Sequence, residues 1–70
     1  MVEVSYEGLR DLMYFKKLKW KDLKEQLGIS NQTATRLNND RFVTLYTIAL
    51  LCEFFNCEIH DIVKFKIIKK

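Results

Sequence analysis

Apolar residues recur at helical spacing along most of the chain and alternate only at its two ends. Residues 1–4, MVEV, alternate apolar and charged, which predicts a short strand. Ser5 stands as a helix N-cap, with Glu7 in the first turn where a carboxylate suits the helix dipole. Leu9, Leu12, Met13 and Lys16 share one face of a helix predicted to run to about Lys17, while Tyr14 and Phe15 carry apolar surface round a second side. Leu23 and Leu27 mark a second helix that starts near Trp20 and stops at Gly28, because glycine readily takes the left-handed conformation of a helix end. Ile29 is a plug in the turn. Ser30 caps a third helix, 31–38, whose inner face is Ala34 and Leu37. Asn39 and Asp40 are turn formers in the NNDRFV loop.

Thr44 caps a fourth helix. Leu45, Ile48, Leu51, Cys52 and Phe55 build its main core face, and Tyr46, Leu50 and Phe54 form a second apolar stripe that needs cover of its own. A short fifth helix, EIHDI, is expected to anchor through Ile59 and Ile62. The chain then reads VKFKI, with Val63, Phe65 and Ile67 alternating with lysine, a strand signal that Ile68 breaks.

The predicted architecture is mainly α: a five-helix bundle with short terminal β-strands at about 1–4 and 63–68. Seventy residues make one small domain over 1–70, near the lower limit for folding alone. The absence of proline and the presence of only two glycines favour helices over a turn-rich β fold. The longest uncharged apolar run, Thr44–Cys52, is too short to span a bilayer, and nothing at the N-terminus resembles a secretion signal, so a cytoplasmic location is expected. Cys52 and Cys57 with one histidine, His60, fall short of a zinc-ligand set; both thiols are read as core fillers, with no metal and no cofactor. No nucleophile–base set or phosphate-cradling glycine loop is visible, so an enzyme is not expected.

Charge adds a direction. The formal net charge is +3. Lys16, Lys17, Lys19, Lys21, Lys24, Arg36 and Arg41 crowd the first two-thirds, a placement consistent with a polyanionic partner. Lys64, Lys66, Lys69 and Lys70 form a second group, read as a solvated face.

The stretch LGISNQTATRL, 27–37, carries the most information. Two short helices joined by a glycine turn form a helix-turn-helix unit over about 20–38. Leu23, Leu27, Ile29, Ala34 and Leu37 point inward, and Asn31, Gln32, Thr35 and Arg36 are left outside. Their chemistry matches base edges: Asn and Gln pair bidentately with adenine, Arg with guanine, and Thr offers a hydroxyl or a methyl. The N-terminal end of the third helix would then enter the major groove. The alternative is that these residues only solvate a surface.

LKWKDLKEQLGISNQTATRLNND followed by TLYTIALLCEFFNCEIHDIV resembles the lambda-repressor-like, Cro/repressor-type helix-turn-helix domains, in their short bacterial and phage form, over roughly residues 8–63. The resemblance implies a double-stranded-DNA-binding transcriptional regulator, often a dimeric repressor. It implies base reading at Asn31, Gln32, Thr35 and Arg36. It also implies backbone contacts at the start of the second helix and in the loop after the third, which here means Lys19, Trp20, Lys21, Ser30, Asn38, Asn39 and Arg41. Two departures stand out. Relatives often have Ser or Thr before the second helix and Gln just inside it, where this chain has Lys19 and Trp20. Lys24 stands where many relatives carry Ala and is expected to point outward. Trp20 is read as partial core, with a stacking platform as the alternative; Asn38 and Asn39 either touch phosphate or only end the helix.

One such domain offers weak binding, so a homodimer on half-sites about 34 Å apart is expected. Tyr46, Leu50, Phe54, Phe65 and Ile67 are the expected interface. The alternative is that VEV and VKFKI pair within one chain and cover the second stripe. The rival function is a protein-interaction module, of a toxin-neutralising or anti-repressor kind, that uses the same scaffold.

Overall fold

Leu9, Leu23, Leu37, Leu51 and Ile62 are fully shielded from solvent, one from each of five helices. They define where the core sits. In the computed structural model, which describes residues 1–69, the order is β1 (Val2–Ser5), α1 (Glu7–Phe15), α2 (Trp20–Leu27), α3 (Asn31–Asn38), α4 (Leu45–Phe55), α5 (Ile59–Ile62) and β2 (Lys64–Ile67). Lys70, last of the C-terminal lysines, lies outside the described residues. Each buried Leu or Ile contributes about 1.5–3 kcal/mol through loss of apolar surface to water. Met13, Ile48, Phe55, Val4 and Val63 complete the cluster, with Leu27, Ile29, Phe54 and the two cysteines packed half-buried around it.

The caps of α3 and α4 are as expected. Ser30 Oγ accepts from Thr33 N–H at 3.1 Å, and Thr44 Oγ1 accepts from Thr47 N–H at 3.2 Å. Asn56 ends α4 in the left-handed conformation, φ 52°, which its short polar side chain tolerates. The start of α1 differs from expectation. Its N-cap is Tyr6 rather than Ser5, and the helix ends at Phe15 rather than Lys17. Tyr6 is itself core: its ring is buried and its hydroxyl donates to the Arg41 carbonyl at 2.8 Å. Ser5 closes β1 and accepts only the Glu7 N–H, at 3.3 Å.

The terminal strands pair with each other, antiparallel and within one chain, with Val2 opposite Ile67, Glu3 opposite Lys66, and Val4 opposite Phe65. The pairing leaves the second stripe of α4 only partly covered: Leu50 and Phe54 are half-buried and Tyr46 is exposed. Two further positions correct the expected core. Leu45 opens α4 but is 72% exposed, since it precedes the turn at which that helix reaches the core. Ile59 is exposed, and Ile62 alone anchors α5. Phe65, opposite the buried Val4 on the ribbon, is 65% exposed.

Gly8 explains how α1 meets α5. A Cβ there would run into the Asp61 carbonyl, so the two helices approach at a distance only glycine allows.

Candidate nucleic-acid interface

Gly28 ends α2 in the left-handed conformation, φ 69° and ψ 22°, and its N–H closes on the Lys24 carbonyl at 3.0 Å. The chain then turns through Ile29, half-buried in the turn, to the Ser30 cap. This geometry sets α3 across α2. Ala34 and Leu37 are buried beneath it, and Asn31, Gln32, Thr35 and Arg36 are all exposed on its other side. Gln32 and Arg36, four apart, form one row; Asn31 and Thr35 form a second row that borders a groove shared with Trp20 and Lys24 of α2. The four expected base-reading side chains therefore lie on one open surface.

The expected backbone-contact residues ring that surface. Lys19 and Lys21 are exposed at the N-terminus of α2, where the first-turn N–H groups lack partners inside the helix and the dipole favours an anion. No Ser or Thr caps this helix. Asp22 takes over, accepting the Lys19 N–H on Oδ2 at 2.8 Å. Trp20 is half-buried against the core, with one side on the α2–α3 groove. Ser30 is engaged as the cap of α3. Asn38 and Asn39 are exposed at its other end, and Asn39 is the C-cap. Arg41 is exposed, with its N–H donating to the Arg36 carbonyl at 2.8 Å.

Two local bonds shape what the surface can offer. Thr35 Oγ1 donates to the Asn31 carbonyl at 2.9 Å, so its proton is committed within the helix and its methyl and lone pairs remain. Lys24 Nζ donates to Asn31 Oδ1 at 2.8 Å, linking the two helices across the groove.

A second arrangement was not visible in the sequence. Arg10 of α1 reaches the end of α3, where Nη1 donates to Asp40 Oδ1 at 2.8 Å and to the Leu37 carbonyl at 3.3 Å. Asp40 Oδ1 also accepts the Tyr6 N–H at 2.9 Å. The Arg10 guanidinium and this N–H hold the Asp40 carboxyl below the ordinary carboxylate range. Thirty residues separate the pair, so no local pattern could have signalled it. Elsewhere, burial pushes the free Cys57 thiol up, which makes it less reactive. Among the described residues no three His, Cys, Asp or Glu side chains gather as a metal site, and no helix is long and apolar enough to cross a membrane.

The exposed apolar surface is elsewhere. Phe42, Leu45, Ile59 and Phe65 border a shallow groove floored by Val4, Tyr6, Ile48 and Val63. Of the expected interface, Phe65 lies on this groove and Ile67 follows it on the exposed ribbon. Tyr46 is exposed on α4, and Leu50 and Phe54 are half-buried.

A short helix with open amides and an arginine, set by a glycine turn across a helix with a lysine-flanked N-terminus, defines a helix-turn-helix DNA-binding protein. Comparison with protein families bears on the same elements: residues 8–66 match the Cro/C1-type HTH DNA-binding domain, and the chain belongs to that family. The crystal structure of the transcriptional regulator VanUg superposes with a TM-score of 0.87 at 31% identity, covering 93% of this chain and 87% of that one. No curated protein matches the sequence.

Proposed function

We propose that this DNA-binding domain is a sequence-specific repressor that reads the major groove with α3. The observation that carries the reading is the sorting of α3: Ala34 and Leu37 are buried, while Asn31, Gln32, Thr35 and Arg36 stand together in the open. Lys19, Trp20 and Lys21 at the start of α2, Ser30 before α3, and Asn38, Asn39 and Arg41 at and after its end are the proposed backbone contacts. Phosphate contacts of this kind set register and orientation, and the base-edge contacts set specificity. Repression follows from occupancy: a domain seated over a promoter in the cytoplasm blocks polymerase.

The proposed working form is a homodimer. One α3 offers a few base contacts, each worth about 1–3 kcal/mol of discrimination. Two copies on half-sites one helical turn apart add their contacts. The exposed groove bordered by Phe42, Leu45, Ile59 and Phe65 supports a pairing face, to which the exposed Tyr46 and Ile67 would add more than the half-buried Leu50 and Phe54. That same face favours the second reading, a protein-interaction module, in which it holds an unlike partner.

Selection of binding sites from random duplexes, repeated at two salt concentrations, tests both levels. A two-fold symmetric consensus is the expected result. A chain that selects no duplex, yet keeps its fold and captures a protein through the Leu45–Phe65 face, would establish the second reading instead.

A further inference from the structure

The Lys24–Asn31 bond changes what Asn31 can read. An ammonium has three donor protons and no acceptor, so the Asn31 atom facing Lys24 must be its carbonyl oxygen. The 2.8 Å contact takes one of that oxygen's two lone pairs and fixes which way the amide faces. Left free are the Asn31 Nδ2 protons and two protons on Lys24 Nζ. Both residues line the same open groove, beside Thr35 and Asn38. Lys24 has no carboxylate within salt-bridge distance; among the described residues the ion pairs are Arg10–Asp40 and His60–Asp61. The pair therefore turns the Asn31 oxygen toward Lys24 and its amide protons away, with a full positive charge beside them.

We infer that Lys24 is a specificity-determining residue, which turns Asn31 from an adenine reader into half of a donor pair that selects guanine. An asparagine alone matches adenine, giving a proton to N7 and taking one from the N6 amino group. With its oxygen turned toward Lys24, the N6 amino group of adenine must share that acceptor with an ammonium, and it meets a positive charge and further donors instead of a free carbonyl. Guanine presents N7 and O6, two acceptors side by side, which matches two converging donors. The charge on Lys24 strengthens the bond to O6. A lysine at this position of α2 thus acts on the first residue of α3, where sequence reading had placed it outside the base-reading set. The inference rests on the reading that α3 enters the major groove.

The test compares wild type, Lys24→Met and Lys24→Arg on matched duplexes that carry G or A at each half-site position. Wild type is expected to prefer G at one position, by about tenfold. Lys24→Met, which keeps the aliphatic stem, is expected to shift that ratio toward A. Lys24→Arg, still donor-only, is expected to keep G. Replacing that guanine by 7-deazaguanine should weaken wild type several-fold, through loss of the Asn31 bond to N7. A uniform loss for Lys24→Met, with the G-to-A ratio intact at every position, makes Lys24 a phosphate contact and overturns the inference while the DNA reading stands. Wild type without any base preference on duplexes it does bind overturns the inference and the reading beneath it together. Thermal unfolding of each variant separates these outcomes from loss of fold.

Discussion

Arg10 and Asp40 lie thirty residues apart and 2.8 Å from each other, and the bond between them ties α1 to the end of the reading helix. Asp40 occupies the left-handed conformation, φ 55°, that closes α3. Arg10 brings a cation to the helix C-terminus and to the Leu37 carbonyl, where the dipole favours it. The pair is partly exposed, with side-chain accessibilities of 33% and 39%, so its worth is about 1 kcal/mol or less after solvent screening. Its larger consequence is positional: with Tyr6 it fixes the loop that carries Asn39 and Arg41 to their proposed phosphates.

Acid should remove this bond's contribution. The native Asp40 carboxyl titrates below its unfolded counterpart. Its stabilisation is therefore complete above the unfolded aspartate range and fades as pH falls through the lower, native value. Asp40→Asn keeps a side chain that tolerates the left-handed conformation and removes the charge. Denaturant unfolding should show wild type ahead of the variant by up to about 1 kcal/mol at neutral pH, with the gap closing in acid. A gap that stays constant down to pH 2 would mean that the charge is not what matters.

The two glycines should respond differently to the same changes. Gly8→Ala drives a methyl into the Asp61 carbonyl, and overpacking of this kind costs about 1–3 kcal/mol. Gly28 has open space around the missing Cβ but a positive φ, so Ala there costs about 1–2 kcal/mol through the backbone alone. Asparagine distinguishes them. Gly28→Asn should recover most of the loss, and Gly8→Asn should be at least as damaging as Ala. Melting temperatures of the four variants suffice; recovery at position 8 would remove the close-approach argument.

The helix-turn-helix was legible because its signals are local: a glycine stop, a serine cap three residues before the N–H it binds, and two apolar residues three apart on α3. The terminal strands were legible from alternation, though not which faces would be covered. Tyr6, Gly8, Arg10 and Asp40 were not legible, since each owes its role to a residue at least thirty positions away. Leu45 misled because its spacing suits the core face, whereas it sits at the first turn of α4, ahead of the point where packing begins. Lys24 was read as outward, and only the crossing of α2 over α3 brings it to Asn31.

Base and phosphate contacts should separate by salt. Gln32→Ala is expected to cost about 1–3 kcal/mol on the best site and to relax preference at one base position. Lys21→Ala is expected to weaken all duplexes alike and to lower the slope of log affinity against log salt by about one. Titrations at several salt concentrations on specific and scrambled duplexes make the distinction. Uniform weakening by Gln32→Ala would remove it from the base-reading set.

Pairing through the Phe42–Leu45–Ile59–Phe65 face can be broken without touching α3. Leu45 is the first residue of α4, so glutamate there suits the helix N-terminus and preserves the fold. Phe65→Thr keeps a residue that fits an exposed strand position. The double variant should sediment as a monomer of 8.4 kDa where wild type sediments as a dimer. Its affinity for a two-half-site duplex should fall about a hundredfold, since linking two binding events multiplies affinity on that scale. Its affinity for a single half-site should be unchanged, because α3 and the lysines of α2 lie elsewhere. A wild-type chain that is monomeric both free and on DNA sinks this prediction, and leaves the apolar face to an unlike partner.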